Sequence, residues 1–341
     1  MNVFVTGGTG YIGRILVPML IKNGYSVTSL DREFLNYDDV KSEYDNLGCK
    51  TIRDDIRYFE PSLLKGHDAV VDLAALSNDP IGDIDPLKTW DINYIGRARV
   101  ARLAKKIGVE RYIVSSSCSV YGFREDIANE MSQVNPLTTY AQANVAIEND
   151  NLRLGDSSFT SVALRLATAF GYSKRMRFDI AINAMTLNAI KKGKIGLMRD
   201  GEQYRPFVHV IDISRAIISA LESDKELVNS QIFNVGSESL NVKLNQLAEI
   251  IKMNANPESV IEWYGDPDKR SYRVNFDKIE KTLKYHTEVT IEKGVNEIKD
   301  MLQKNNLDDY PETHTVEQYK KLLLTGGLDG KLTLNKSGII L

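Results

Sequence analysis

The sequence predicts an α/β fold: a doubly wound parallel (Rossmann) sheet carrying a smaller C-terminal α/β substrate lobe. Three observations lead there. Short β-branched runs alternate with helical periods through the first half, a glycine-rich turn joins the first run to the first helix, and an aspartate closes the second run.

Residues 3–6 make the first expected strand and 12–23 the first helix. Strands at 26–30, 69–73 and 111–115 follow, with a helix at 95–107 before the last of them. Such alternation returns each strand parallel to its neighbour, because the helix carries the chain back across a sheet face. A helix at 140–154 leads to a strand at 160–166, and 207–210 and 232–235 add short strands. Residues 172–206 and 236–304 are more polar and interrupt the rhythm, as expected of a substrate lobe over the strand C-termini. The expected division is a Rossmann domain at 1–171 with returning segments at about 207–235, that lobe, and a tail at 305–341. Gly326-Gly327 and Gly330 leave the tail a short helix at 316–324, in a strap on its own chain or an arm onto a neighbouring subunit.

With 341 residues and 43% hydrophobic content the chain can bury a large core. Its 43 basic and 46 acidic residues leave a net charge of -3, so no global field favours nucleic acid or an anionic membrane. A phosphate-bearing ligand must find local donors. Cys49 and Cys118 are the only cysteines, which points away from a disulfide scaffold or a metal site and toward a reducing compartment. The N-terminus enters a strand without a basic and apolar leader, and Asp72 interrupts the apolar stretch 69–76. A soluble, cytoplasmic protein is expected.

Thr6-Gly7-Gly8-Thr9-Gly10-Tyr11-Ile12-Gly13 lies between the first strand and the first helix. Gly7, Gly10 and Gly13 let the backbone turn tightly and approach a pyrophosphate, whose charge then meets the positive end of the helix. Asp31 stands roughly 20 residues on, where a carboxylate accepts both ribose hydroxyls and repels a 2′-phosphate. NAD is therefore expected over NADP, although Arg32 beside it could tolerate a phosphate. Asp55-Ile56, after a further strand that precedes them, and Leu73-Ala74-Ala75, at the end of the strand at 69–73, suit an adenine pocket and a channel for the cofactor backbone.

The ordered set of the glycine turn, Asp31, Asp55-Ile56, Leu73-Ala74-Ala75, Asn93-Tyr94-Ile95-Gly96, 115–122, Tyr140, Arg165-Leu166 and 205–212 resembles the extended short-chain dehydrogenase/reductase family, the sugar-nucleotide epimerases and dehydratases. Within it, 165–183 and 266–273 look most like GDP-heptose oxidoreductases and 4-epimerases. The resemblance implies NAD-dependent hydride transfer at C4 of a UDP- or GDP-sugar, with Tyr140 taking the hydroxyl proton and Ser117 hydrogen-bonding the same oxygen. It also places Tyr11, Ile12, Asn93 and Ser115 along the cofactor.

Where the family carries lysine, four residues after the tyrosine, this chain has Asn144. A free tyrosine has a pKa of about 10 and serves as a base near neutrality only when positive charge stabilises its phenolate. Losing the lysine charge slows that step by on the order of tenfold to a hundredfold. Three readings follow: an engineered Lys→Asn substitution, a slow enzyme, or a catalytically silent NAD and nucleotide-sugar binder. Asn144→Lys is expected to raise activity in a chain built for turnover.

Dehydratases of the family place an acidic pair where this chain has Cys118 and Ser119, so 4,6-dehydration is disfavoured. Cys118 is either an acid or base beside the sugar or a small buried residue. For the substrate, the resemblance assigns Thr168, Arg175, Arg177, Asn183, Arg205 and Arg270 as contacts, the arginines suiting a diphosphate. His209 reads as a packed strand residue. Helices at 93–107 and 140–154, with Val100, Leu103, Val145 and Ile147, are expected to pair across a homodimer.

Overall fold

A computed structural model describes residues 1–32, 37–266, 271–304 and 307–324. Among these, strands β1 (Asn2–Thr6), β2 (Ser26–Asp31), β3 (Lys50–Arg53), β4 (Ala69–Asp72), β5 (Arg111–Ser117), β6 (Thr160–Leu166) and β7 (Gln231–Val235) form one seven-stranded sheet. The order is β7-β6-β5-β4-β1-β2-β3, and every pairing is parallel. Val3, Phe4 and Val5 are wholly buried although their side chains alternate between faces, because helices cover both sides. The strand order reverses between β1 and β4, where Thr6 pairs with Asp72. That reversal opens a crevice at the carboxyl ends, the usual ligand position in such sheets.

Helix α1 (Gly13–Lys22) buries Leu16, Val17 and Leu20 against the sheet. Helix α2 (Arg97–Ile107) is entered through a π-helical turn at Asp91–Gly96 and ends on Gly108, which takes the left-handed conformation that glycine tolerates. Helix α3 (Thr139–Leu152) starts where the Thr138 hydroxyl accepts the Ala141 N–H. Val100 and Ile147, expected to face a second subunit, are wholly buried within one core cluster of this chain, and Leu103 and Val145 pack half-buried against its cores. Val100 and Ile147 are thus occupied by the chain's own core, while Leu103 and Val145 stay partly exposed.

The second lobe has its own core. Strands at Thr168–Phe170, Tyr204–His209 and Asn241–Lys243 form a three-stranded sheet, and Lys194–Met198 pairs with Val260–Tyr264. Helices α4 (Ala181–Lys192), α5 (Leu244–Ala255) and α6 (Ile291–Gln303) close around Phe170, Ile182, Leu197, Phe207, Leu247 and Val295. The strand expected at 207–210 thus belongs to this lobe, not to the main sheet, while the one expected at 232–235 is its edge.

The described part of the tail lies on its own chain. Helix α7 (Thr315–Leu324) seats Tyr319 on Leu76 and Ile81, and the Phe178 N–H donates to the Thr313 carbonyl at 2.7 Å. The tail glycines fall outside the described residues. No described helix is long and apolar enough to cross a membrane.

Candidate active site

A cavity of about 1110 Å³ runs along the carboxyl ends of the main sheet, from Gly7, Asp31 and Asp55, past Ser117 and Tyr140, to Arg205 and Tyr272. That exceeds the roughly 300–1,000 Å³ typical of a pocket for one drug-sized ligand. It has room for a dinucleotide and a second molecule.

The glycine turn is shaped by contact. Gly7 has φ +69°, and a Cβ there would lie 2.8 Å from the Ala74 nitrogen. A Cβ on Gly13 would lie 2.3 Å from the Gly8 carbonyl oxygen. Only bare backbone lets α1 begin this close to the turn, with its positive end on the cavity. Gly10, Tyr11 and Ile12 also line the cavity, and the Tyr11 hydroxyl ties the turn to the second lobe by donating to the Gly171 carbonyl at 2.6 Å.

Asp31 accepts the Thr9 N–H at 3.0 Å. Arg32 lies 3.0 Å from the Asp55 carboxylate, which also meets Arg57 at 2.8 Å. Burial alone would raise the Asp55 carboxyl, but the hydrogen bonds and charge of Arg57, with Arg32, hold it below the usual carboxylate range. Arg32 is thereby drawn to a carboxylate beside Asp31. The chemistry of this donor set fits a dinucleotide with free ribose hydroxyls. Ile56, Leu73, Ala74, Ala75 and Ser115 continue the lining.

Tyr140 opens α3 half-buried in the middle of the cavity, with Ser117 at the end of β5. Burial pushes the Tyr140 hydroxyl above its ordinary pKa, and the Asp79 carboxylate adds to this. Asn144, Arg97 and Ser117 oppose the rise. Asn144 is almost wholly buried, its amide donating to the Tyr140 carbonyl at 3.1 Å. Its side-chain oxygen meets Arg97 Nη1 at 3.5 Å.

Arg97 was not expected from the residues. It is 1% exposed yet reaches the cavity lining, with Nε 3.3 Å from Asp72 and Nη2 donating to the Ser115 carbonyl at 2.5 Å. A signal was present: Arg97 follows Gly96 on the buried side of a helix, and Asp72 ends an otherwise apolar strand. Two opposite charges in buried elements call for each other.

Several expected contacts are placed elsewhere. The Asn93 amide braces the Leu76 backbone, accepting at 2.8 Å and donating at 3.0 Å, and does not line the cavity. Asn183 is wholly buried, accepting from the Gly171 N–H at 3.0 Å and donating to the Arg177 carbonyl at 3.0 Å. Its amide holds these backbone groups together and does not line the cavity. The Cys118 thiol is sealed behind β5 and donates to the Arg165 carbonyl at 3.3 Å. Burial pushes that thiol far up, so it is neither acid nor base toward a sugar.

Arg177 grips Asp179 through two hydrogen bonds at 2.9 and 2.8 Å, which leaves its charge neutralised at the cavity wall. Arg175 donates to the Glu312 carbonyl at 2.7 Å, and burial with Arg177 nearby draws it down to about 10. Thr168 and Arg205 line the far end, Arg205 lying over the Tyr272 ring. Arg270 falls outside the described residues. His209 is a buried strand-end residue bonded to Glu297 at 2.9 Å.

A doubly wound sheet with a glycine turn, an acidic second strand end and a tyrosine beside a serine defines a dinucleotide-dependent α/β enzyme. The chain belongs to the NAD dependent epimerase/dehydratase family, which its residues 3–236 match. UDP-glucuronic acid decarboxylase 1 of Arabidopsis thaliana is 26% identical over 309 residues, covering 86% of this chain and 68% of that protein. A putative UDP-glucose 4-epimerase of Methanocaldococcus jannaschii is 25% identical over 313 residues, covering 89% of this chain and 99% of that one. The solved structure of MoeE5 in complex with UDP-glucuronic acid and NAD superposes with a TM-score of 0.79 at 25% identity, covering 89% of this chain and all of that one.

Proposed function

We propose that this chain is an NAD-dependent oxidoreductase or epimerase acting by hydride transfer at C4 of a UDP-sugar. The observation that carries the reading is that Tyr140 and Ser117 line one stretch of cavity between the glycine turn and Arg205. The relatives named above support a UDP-sugar, where the sequence allowed a UDP- or a GDP-sugar.

NAD, when bound, supplies the hydride acceptor and a positive nicotinamide ring. The chain's own residues handle the proton and the position of the sugar. Tyr140 takes the proton of the C4 hydroxyl, and Ser117 hydrogen-bonds that oxygen so that charge developing on it is shared. Arg205, at the far end of the cavity, offers a guanidinium group to the diphosphate. Water elimination lacks its acid, because Cys118 is sealed from the cavity and Ser119 carries no titratable group near neutrality.

The test combines mass spectrometry of ligands retained on purification with turnover of UDP-glucose, UDP-glucuronic acid and a GDP-sugar. NAD should be retained, a UDP-sugar should turn over, and Tyr140→Phe should cost at least about a hundredfold. A rate indifferent to Tyr140→Phe would assign the chemistry elsewhere. No turnover of any of these sugars would make the chain a binder.

A further inference from the structure

The tyrosine pattern calls for a cation at 144, yet this chain places a neutral amide there and brings a guanidinium to it from α2. We propose that Arg97 supplies the positive charge expected of residue 144, and that Asn144 is the neutral partner this relocated charge requires. The proposal rests on Tyr140 being the base.

Four hydrogen bonds fix the orientation of Arg97, one of them from Nη2 to the Ser115 hydroxyl at 3.2 Å. Nε faces the Asp72 carboxylate at 3.3 Å, and Nη2 donates to the carbonyls of Asp72 at 3.2 Å and Ser115 at 2.5 Å. The remaining edge, Nη1, turns to Asn144. Asp72 anchors the arginine and also accepts from the Thr6 hydroxyl at 2.6 Å and from the Tyr112 hydroxyl. The Asn144 amide fits between: its oxygen end meets the guanidinium and its nitrogen end meets the carbonyl of Tyr140. A lysine at 144 would instead set an ammonium beside a buried guanidinium, and like charges repel strongly where water is excluded.

Arg97 is therefore a positioning residue, acting on Tyr140 through its field and through Asn144. Restoring the family lysine to the chain as it stands should be harmful, the reverse of what the sequence alone suggests.

The test is a cycle on the full chain with its retained cofactor: the parent, Asn144→Lys, Arg97→Gln, and both together. Asn144→Lys is expected to lower the melting temperature by about 5 °C without raising neutral turnover. With Arg97→Gln already in place, Asn144→Lys should cost little in melting and should raise neutral turnover about tenfold or more over Arg97→Gln alone. Arg97→Gln alone should move the pH profile to higher pH, with Asp79, Asp72 and Tyr112 as the charged or titratable groups left around Tyr140 and residue 97. If Arg97→Gln does not fold because Asp72 loses its cation, Asp72→Asn with Arg97→Gln takes its place in the cycle.

The proposal is overturned if Asn144→Lys raises neutral turnover with Arg97 present, or if folded Arg97→Gln keeps the parent's rate and pH profile. Additive melting shifts at 97 and 144 would overturn it as well. A parent chain that turns over no UDP-sugar overturns the proposed function instead, and the melting cycle still decides whether Arg97 excludes a second cation.

Discussion

The Asp31 carboxylate accepts the backbone N–H of Thr9 at 3.0 Å, joining the end of the second strand to the glycine turn. The acidic group is thereby held beside the cavity end where Gly7 meets Ala74, a fixed negative charge in a half-buried position. A ribose diol can donate to such a carboxylate, whereas a 2′-phosphate is repelled by it.

NADP should accordingly bind on the order of a hundredfold more weakly than NAD, since like-charge juxtaposition in an interface costs several kcal/mol. Calorimetric titration of each cofactor measures the ratio. Equal affinities would mean that Arg32 leaves Asp55 to meet the phosphate.

Tyr140 yields a pH dependence with a definite sign. A base must be deprotonated to act, and burial with Asp79 raises its hydroxyl while Asn144, Arg97 and Ser117 lower it less. Turnover of a UDP-sugar at saturation should rise with pH through the alkaline range, by up to about tenfold per unit, until the phenolate forms. A profile flat from pH 6 to 10 would contradict this.

Cys118 and Asn183 should behave as wall residues. Cys118→Ala is expected to keep turnover within about threefold, because the thiol is packed in the core away from the cavity and bonds the Arg165 carbonyl. Asn183→Ala should cost about 2–3 kcal/mol of stability, since the buried Gly171 N–H loses its acceptor. Denaturant melts paired with Michaelis constants separate the two effects, and a raised KM for Asn183→Ala without loss of stability would return it to the substrate.

Acid should unfold the chain through its buried carboxylates. Burial would raise the Asp179 carboxyl, but the hydrogen bonds and charge of Arg177 outweigh it and hold the group low, as Arg57 does for Asp55. A depressed carboxyl contributes stability above its unfolded value of about 3.9 and loses it as pH falls through the folded value. The melting temperature should therefore drop below about pH 4. Asp179→Ala should cost about 3 kcal/mol at neutrality by leaving Arg177 buried and unpaired.

The sequence by itself determined the parallel α/β architecture, the glycine turn and Asp31, while Tyr140 and Ser117 came from the resemblance to a family. The first three rest on local rules: period, turn chemistry and spacing act within one βα unit, so neighbouring residues suffice to read them. Tertiary structure alone decided which polar groups face the cavity and which brace it. Asn93, Asn183 and Cys118 carry functional groups suited to a site, but each meets a backbone partner from a distant element and is withdrawn from the ligand space. The strand at Tyr204–His209 joined the second lobe because its partner Thr168–Phe170 lies there, and strand pairing is a long-range choice. Arg97 is the clearest case. Its charge matters only because Asp72, 25 residues away in the chain, orients it and Asn144, 47 residues away, receives it. Burial is what turns three scattered polar residues into one interacting set, since in water each would be satisfied alone.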